Sequence, residues 1–99
     1  MSTQAIQLHV DLETDPAKEA DLLKTYREVF RPAISRQPGF TGVTLLKARK
    51  AWAWRLIISF ATEEERLAWV ACAEHQAVWP QMEANLTGSK FSTVLFDVQ

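Results

Sequence analysis

Two histidines and a set of large aromatics are the residues that could do chemistry in this 99-residue chain. His75 lies six residues after Trp69 and four before Trp79. Positions four apart share a helix face, so His75 and Trp79 stand together if their segment is helical. An imidazole titrates near neutral pH, and burial tunes it. Such a ring can take a proton from a phenol or from an acidic C–H. A deprotonated, electron-rich aromatic can in turn reduce dioxygen by itself. A pocket walled by Tyr26, Phe30, Trp69 and Trp79 around one imidazole would suit a flat apolar substrate. The same tryptophans at helical spacing read first as core. His9, on the first strand, is the second titratable ring. It is open to two readings: a substrate contact, or a solvated or interface side chain.

Those residues need elements to place them. Ile6, Leu8, Val10 and Leu12 alternate with Gln7, His9, Asp11 and Glu13, the period of a strand with one apolar face. Asp15-Pro16 reads as a helix start, with Asp15 capping and Pro16 in the first helical position. Ala20, Leu22, Leu23, Tyr26, Val29, Phe30, Ala33 and Ile34 then recur at helical spacing, and Pro32 is expected to kink the last turns. Gln37-Pro38-Gly39 is a turn. Two strands follow over Phe40–Ala48 and Trp52–Ala61. Lys47, Arg49 and Lys50 mark the hairpin tip, and Trp52, Trp54, Leu56, Ile58 and Phe60 share one face. Thr62 and Glu65 have capping-box spacing, so the Glu63–Glu65 run is a helix start. That helix is expected to run through Leu67, Trp69, Val70 and Cys72. A second stretch, with Val78, Met82 and Leu86, follows a break near 73–80, and Gly88 is expected to stop it. Cys72 reads as a small buried hydrophobe. The last strand is expected over Lys90–Val98.

The order β-α-β-β-α-β predicts one α+β domain over residues 1–99, a ferredoxin-like fold with an antiparallel four-stranded sheet and both helices on one face. The last strands carry apolar residues on both sides. An apolar face of that size calls for a cover, and the simplest is a second copy, giving a homodimer.

Composition removes several alternatives. Net charge is −1, which argues against nucleic acid as a partner. No apolar stretch approaches the ~20 residues that span a bilayer, so no membrane partner is expected. The first residues show no signal-peptide pattern. The single cysteine fits a reducing, cytoplasmic setting. Two histidines without a Cys/His cluster leave no structural zinc site. No GxGxxG offers a nicotinamide or flavin site, and the multi-His/carboxylate set of non-haem iron is missing, so no cofactor is expected.

Gln37-Pro38-Gly39-Phe40-Thr41-Gly42-Val43, Phe60-Ala61-Thr62-Glu63-Glu64-Glu65, Trp69 and His75-Gln76-Ala77-Val78-Trp79 together resemble the antibiotic biosynthesis monooxygenase domain across nearly the whole chain. The resemblance implies a dimeric α/β barrel. For some members it implies cofactor-independent oxidation of polyketide or quinol-type aromatics. Trp69 and His75 match the family's Trp and His positions, which implies a pocket wall or substrate orienter and an acid/base group. Haem-degrading relatives share the fold, with an Asn on the first strand, a Trp on the second helix and an iron-binding His about ten residues later. Here Trp69 matches that Trp, while His9 falls near the first position and Trp79 at the last. The expected function is a cofactor-independent monooxygenase acting on a small aromatic with dioxygen. A haem-binding or haem-degrading protein and a non-catalytic dimeric small-molecule-binding module are the alternatives.

Overall fold

The computed structural model describes residues 4–49 and 52–99. The first three residues, Lys50 of the hairpin tip and Ala51 fall outside them. Strand β1 spans Ile6–Thr14. Its alternation buries Ile6, Val10 and Leu12 on one side. Asp15 then turns the chain: its carboxylate accepts the Ala17 N–H at 2.9 Å, and Pro16 opens a 3-10 turn, Pro16–Lys18. The helical run continues as α1 (Glu19–Thr25), a π-helical turn (Tyr26–Phe30) and α2 (Arg31–Ser35). The irregularity expected at Pro32 therefore appears as a widened turn just before it. Pro32 has no N–H for the Glu28 carbonyl and its ring would press on that oxygen; one extra residue in the turn relieves both.

Gly39 makes the following turn at φ 80°, and a Cβ there would strike the Glu65 carboxylate at 2.2 Å. The positive φ is what favours glycine here, since the Glu65 carboxylate is the far end of a flexible side chain. Strands β2 (Phe40–Lys47) and β3 (Ala53–Phe60) pair antiparallel. Trp54, Leu56, Ile58 and Phe60 are buried, as the alternation predicts. Trp52 does not join them. It precedes β3 and is half-exposed, with the Lys47 ammonium 5.6 Å from its ring centre. At the hairpin tip a cation–π contact replaces burial.

Thr62 caps α3 (Glu63–Ala71): its hydroxyl accepts the Glu65 N–H at 3.2 Å and donates to the Glu65 carboxylate at 3.0 Å. The break between helices falls at Cys72 alone, whose backbone is extended, and α4 (Ala73–Glu83) runs on through Pro80. That corrects the expectation of helix through Cys72 and a break near 73–80. The physical gain is direction: one extended residue re-aims the chain so that Val78 and Met82 enter the core that already holds Trp69.

Gly88 is not a helix stop. The helix ends on Ala84 and Asn85, whose N–H groups bond to the carbonyls of Pro80 and Met82. Leu86 and Gly88 belong to β4 (Leu86–Asp97). Thr14 Oγ1 donates to the Asn85 carbonyl at 2.6 Å and holds the chain beside β1 from there. The register with β1 shifts between Thr14↔Leu86 and Leu12↔Phe91, and Gly88, at φ 61°, lies within that irregularity.

The antiparallel sheet has the order β2-β3-β1-β4, the ferredoxin-like arrangement. Its helix-covered face joins Ile6, Leu8, Val10 and Leu12 to Phe60, Ile58, Leu56 and Trp54 on one side, and Leu8, Val10 and Leu12 to Leu95, Thr93 and Phe91 on the other. The far face carries Gln7, His9 and Asp11 between Ile57 and Arg55 of β3 and Val94 and Phe96 of β4. Phe91, Val94, Leu95 and Phe96 are all exposed by about half, so β4 shows apolar surface on both sides. No helix among the described residues is long and apolar enough to cross a membrane.

Candidate active site between the helices and the sheet

A cavity of about 270 Å³ opens between α3, α4 and the sheet. Leu8, Val10 and Ile58 form its floor, and Phe30, Trp69, Trp79 and Phe91 its walls. Local structure explains the meeting. Arg66 and Trp69 are three apart on the capped helix α3, so they share a face. His75 and Trp79 are four apart on α4 and share another. The bend at Cys72 turns the two faces toward each other. Phe30 reaches both indoles, with ring centres 6.1 Å from Trp69 and 6.1 Å from Trp79.

The imidazole of His75 stands between the two tryptophans. Trp69 meets it nearly perpendicular, at 5.0 Å and 85°, and Trp79 nearly parallel, at 6.4 Å and 16°. Trp79 continues edge-on to Phe91 at 5.1 Å. Burial disfavours the imidazolium and lowers the proton affinity of His75 below the ordinary value of 6.5. Nδ1 of His75 is buried without a hydrogen-bond partner among the described residues. Among the described residues no ion pair holds the charged ring, and with its proton affinity lowered by burial the ring is mostly neutral at pH 7.

Of the expected site residues, the structure brings together Phe30, Trp69, His75 and Trp79. Tyr26 is buried beside Phe30, at 6.4 Å, but lies beyond it under the Arg31 guanidinium and away from the cavity. Its phenol is pushed up by burial, with Arg31 acting in the opposite sense. His9 is on the far face of the sheet, against the Phe96 ring at 4.6 Å and 3.1 Å from Gln7 Oε1. Strand alternation separates it from the cavity by the thickness of the sheet.

Arg66 was not singled out from the sequence. It lines the cavity with a side chain only 16% exposed and is paired to Glu63 through Nε. The signal was present: once Thr62 sets the start of α3, the three-residue spacing places Arg66 beside Trp69.

The fold defined by this sheet and these helices recurs in solved structures. No protein-family model matches the chain, and no curated protein matches it. A protein from Caulobacter crescentus assigned as an antibiotic biosynthesis monooxygenase is 15% identical, with a TM-score of 0.85 over 98% of this chain and 92% of its own. One from Bordetella bronchiseptica with the same assignment is 19% identical, with a TM-score of 0.83 over 94% and 95%. SnoaB, a cofactor-independent oxygenase from Streptomyces nogalater, is 18% identical, with a TM-score of 0.83 over 96% and 93%. The chain therefore has the fold of the antibiotic biosynthesis monooxygenases, and the resemblance read in its motifs is supported.

Proposed function

We propose that the chain is a cofactor-independent monooxygenase that oxidises a small aromatic, quinol or polyketide-like, with dioxygen. The observation that carries this is the His75 imidazole, its Nδ1 buried without a partner among the described residues, held among Phe30, Trp69 and Trp79 in a cavity. Its size lies near the lower end of the ~300–1,000 Å³ usual for ligand pockets. Such a space suits one or two fused rings better than a haem macrocycle.

The chemistry follows from those groups. Trp69 and Trp79 hold the ring by stacking and edge contacts and exclude water. His75 takes a proton from a ring hydroxyl or an acidic C–H. The ring anion gives electrons to dioxygen and combines with it as a hydroperoxide. The O–O bond then breaks with loss of water, leaving one oxygen on the substrate as a new carbonyl. The substrate supplies all four electrons that dioxygen takes, so no co-reductant is required. We further propose that two copies pair through the far face of the sheet, which would cover Val94 and Phe96, and that the protein is cytoplasmic.

The test is oxygen uptake with a panel of hydroquinones and anthrones under labelled dioxygen, with no added cofactor. One labelled oxygen per product is expected. His75→Ala should reduce turnover by about 10²–10⁴-fold. No uptake above the buffer control across the panel would refute the proposal.

A further inference from the structure

Arg66 is an unusual resident of an apolar cavity. Its side chain is 16% exposed, yet among the described residues only its Nε has a side-chain partner, the Glu63 carboxylate. The two terminal amino groups have none. A guanidinium offers five N–H donors in a planar fork, and the terminal pair, bonded to no described residue and not sealed from solvent, is open to an incoming acceptor. Glu63 fixes the orientation of the fork by holding Nε, while α3 fixes its position beside Trp69. Among the described residues that line this cavity, only Arg66 and His75 titrate. His75 contributes no positive charge when neutral, which leaves Arg66 as the one cation of the lining.

We propose that Arg66 is the recognition group of this cavity and that its ligand is an aromatic carrying an anionic oxygen, either a ring carboxylate or an ionised ring hydroxyl. The proposal rests on the reading of the cavity as a site for small aromatics. The rings of Trp69 and Trp79 take the flat body and the guanidinium takes the oxyanion through two parallel hydrogen bonds. An anion formed on the ligand is held by the same contact, in surroundings where little water screens it.

The experiment follows tryptophan fluorescence above neutral pH, with 4-nitrobenzoate, 4-nitrophenol and the neutral ester methyl 4-nitrobenzoate as quenching probes. Wild type should bind at least one of the two anions about tenfold or more tighter than the ester. Arg66→Gln should lose that preference while binding the ester as before. Which anion is preferred identifies the oxygen as carboxylate or phenolate. Glu63→Gln leaves an amide oxygen to accept from Nε and removes the negative charge that repels an incoming anion, so anion affinity should rise several-fold. This variant decides the matter if Arg66→Gln fails to fold, since unchanged or weaker anion binding by Glu63→Gln overturns the proposal. Equal binding of anions and ester by wild type overturns it too, while leaving the cavity as an aromatic site. If no probe binds, the aromatic site itself is wrong and this inference falls with it.

Discussion

The two faces of the sheet meet their surroundings in opposite ways, and the two histidines mark the difference. On the helix side, β1 and β3 are sealed by Leu22, Phe30, Ile34 and Met82, none more than 1% exposed, and His75 lies between two indoles. On the far side, His9 sits against a Phe96 ring that is itself half-exposed, beside the open Asp11–Arg55 ion pair. One face is closed over β1 and β3 around a small cavity, with Phe91 and Leu95 of β4 half-exposed at its edge. The other leaves Val94 and Phe96 of β4, which no described residue covers. Chemistry needs the first arrangement, where water is excluded and proton affinities move. Association needs the second.

The largest effect is expected where the closed face is opened. Phe30 touches Trp69 and Trp79 and is 1% exposed, so Phe30→Ala removes core and cavity wall together. A loss of about 3–5 kcal/mol in urea unfolding is expected. A change under about 1 kcal/mol would mean that this side is not the rigid one. The next effect belongs to the far face. Val94 pairs with His9 there and is 51% exposed, so a lysine fits the isolated protomer but not a dry interface between copies. Sedimentation at micromolar concentration should give twice the monomer mass for wild type and the monomer mass for Val94→Lys, with the circular dichroism spectrum unchanged. A monomeric wild type, or a dimeric Val94→Lys, would remove the asymmetry between the faces.

Much of this was legible in the residues because local rules act locally. Strand alternation in β1 and β3, the Asp15 and Thr62 caps and the Gly39 turn each depend on near neighbours. What escaped depends on distant ones. Gly88 offers positive φ to a helix end or to a strand bulge, and the Thr14 hydroxyl, 71 positions from Asn85, decides between them. The break at Cys72 has no local mark; it is set by the need of Val78 and Met82 to share a core with Trp69. Tyr26 and Phe30 are four apart, yet only Phe30 reaches the cavity, because the pocket wall ends between them. Arg66 was hidden by its type, since a charged residue in a helix with three preceding glutamates looks solvated.

The smallest effect concerns His75 itself and sharpens the contrast in pH. Burial lowers its proton affinity in the folded state below the 6.5 of the unfolded chain. Between those two values the unfolded chain binds more protons, so stability rises with pH across that window. The contribution is at its best above about pH 6.5, where both states are neutral, and is lost as the pH falls toward the folded value. Glu74, held below the ordinary carboxylate value by Arg36 and Gln37, adds a separate loss that begins only in the acid range below 4.5. The two windows are therefore distinguishable in one titration. His75→Phe keeps an aromatic ring between Trp69 and Trp79 but cannot titrate. Urea midpoints measured from about pH 7.5 down to about pH 5 should slope for wild type and flatten for His75→Phe. An equal slope in both would show that the imidazole is as well solvated folded as unfolded, and the helix side would lose its claim to be the dry face.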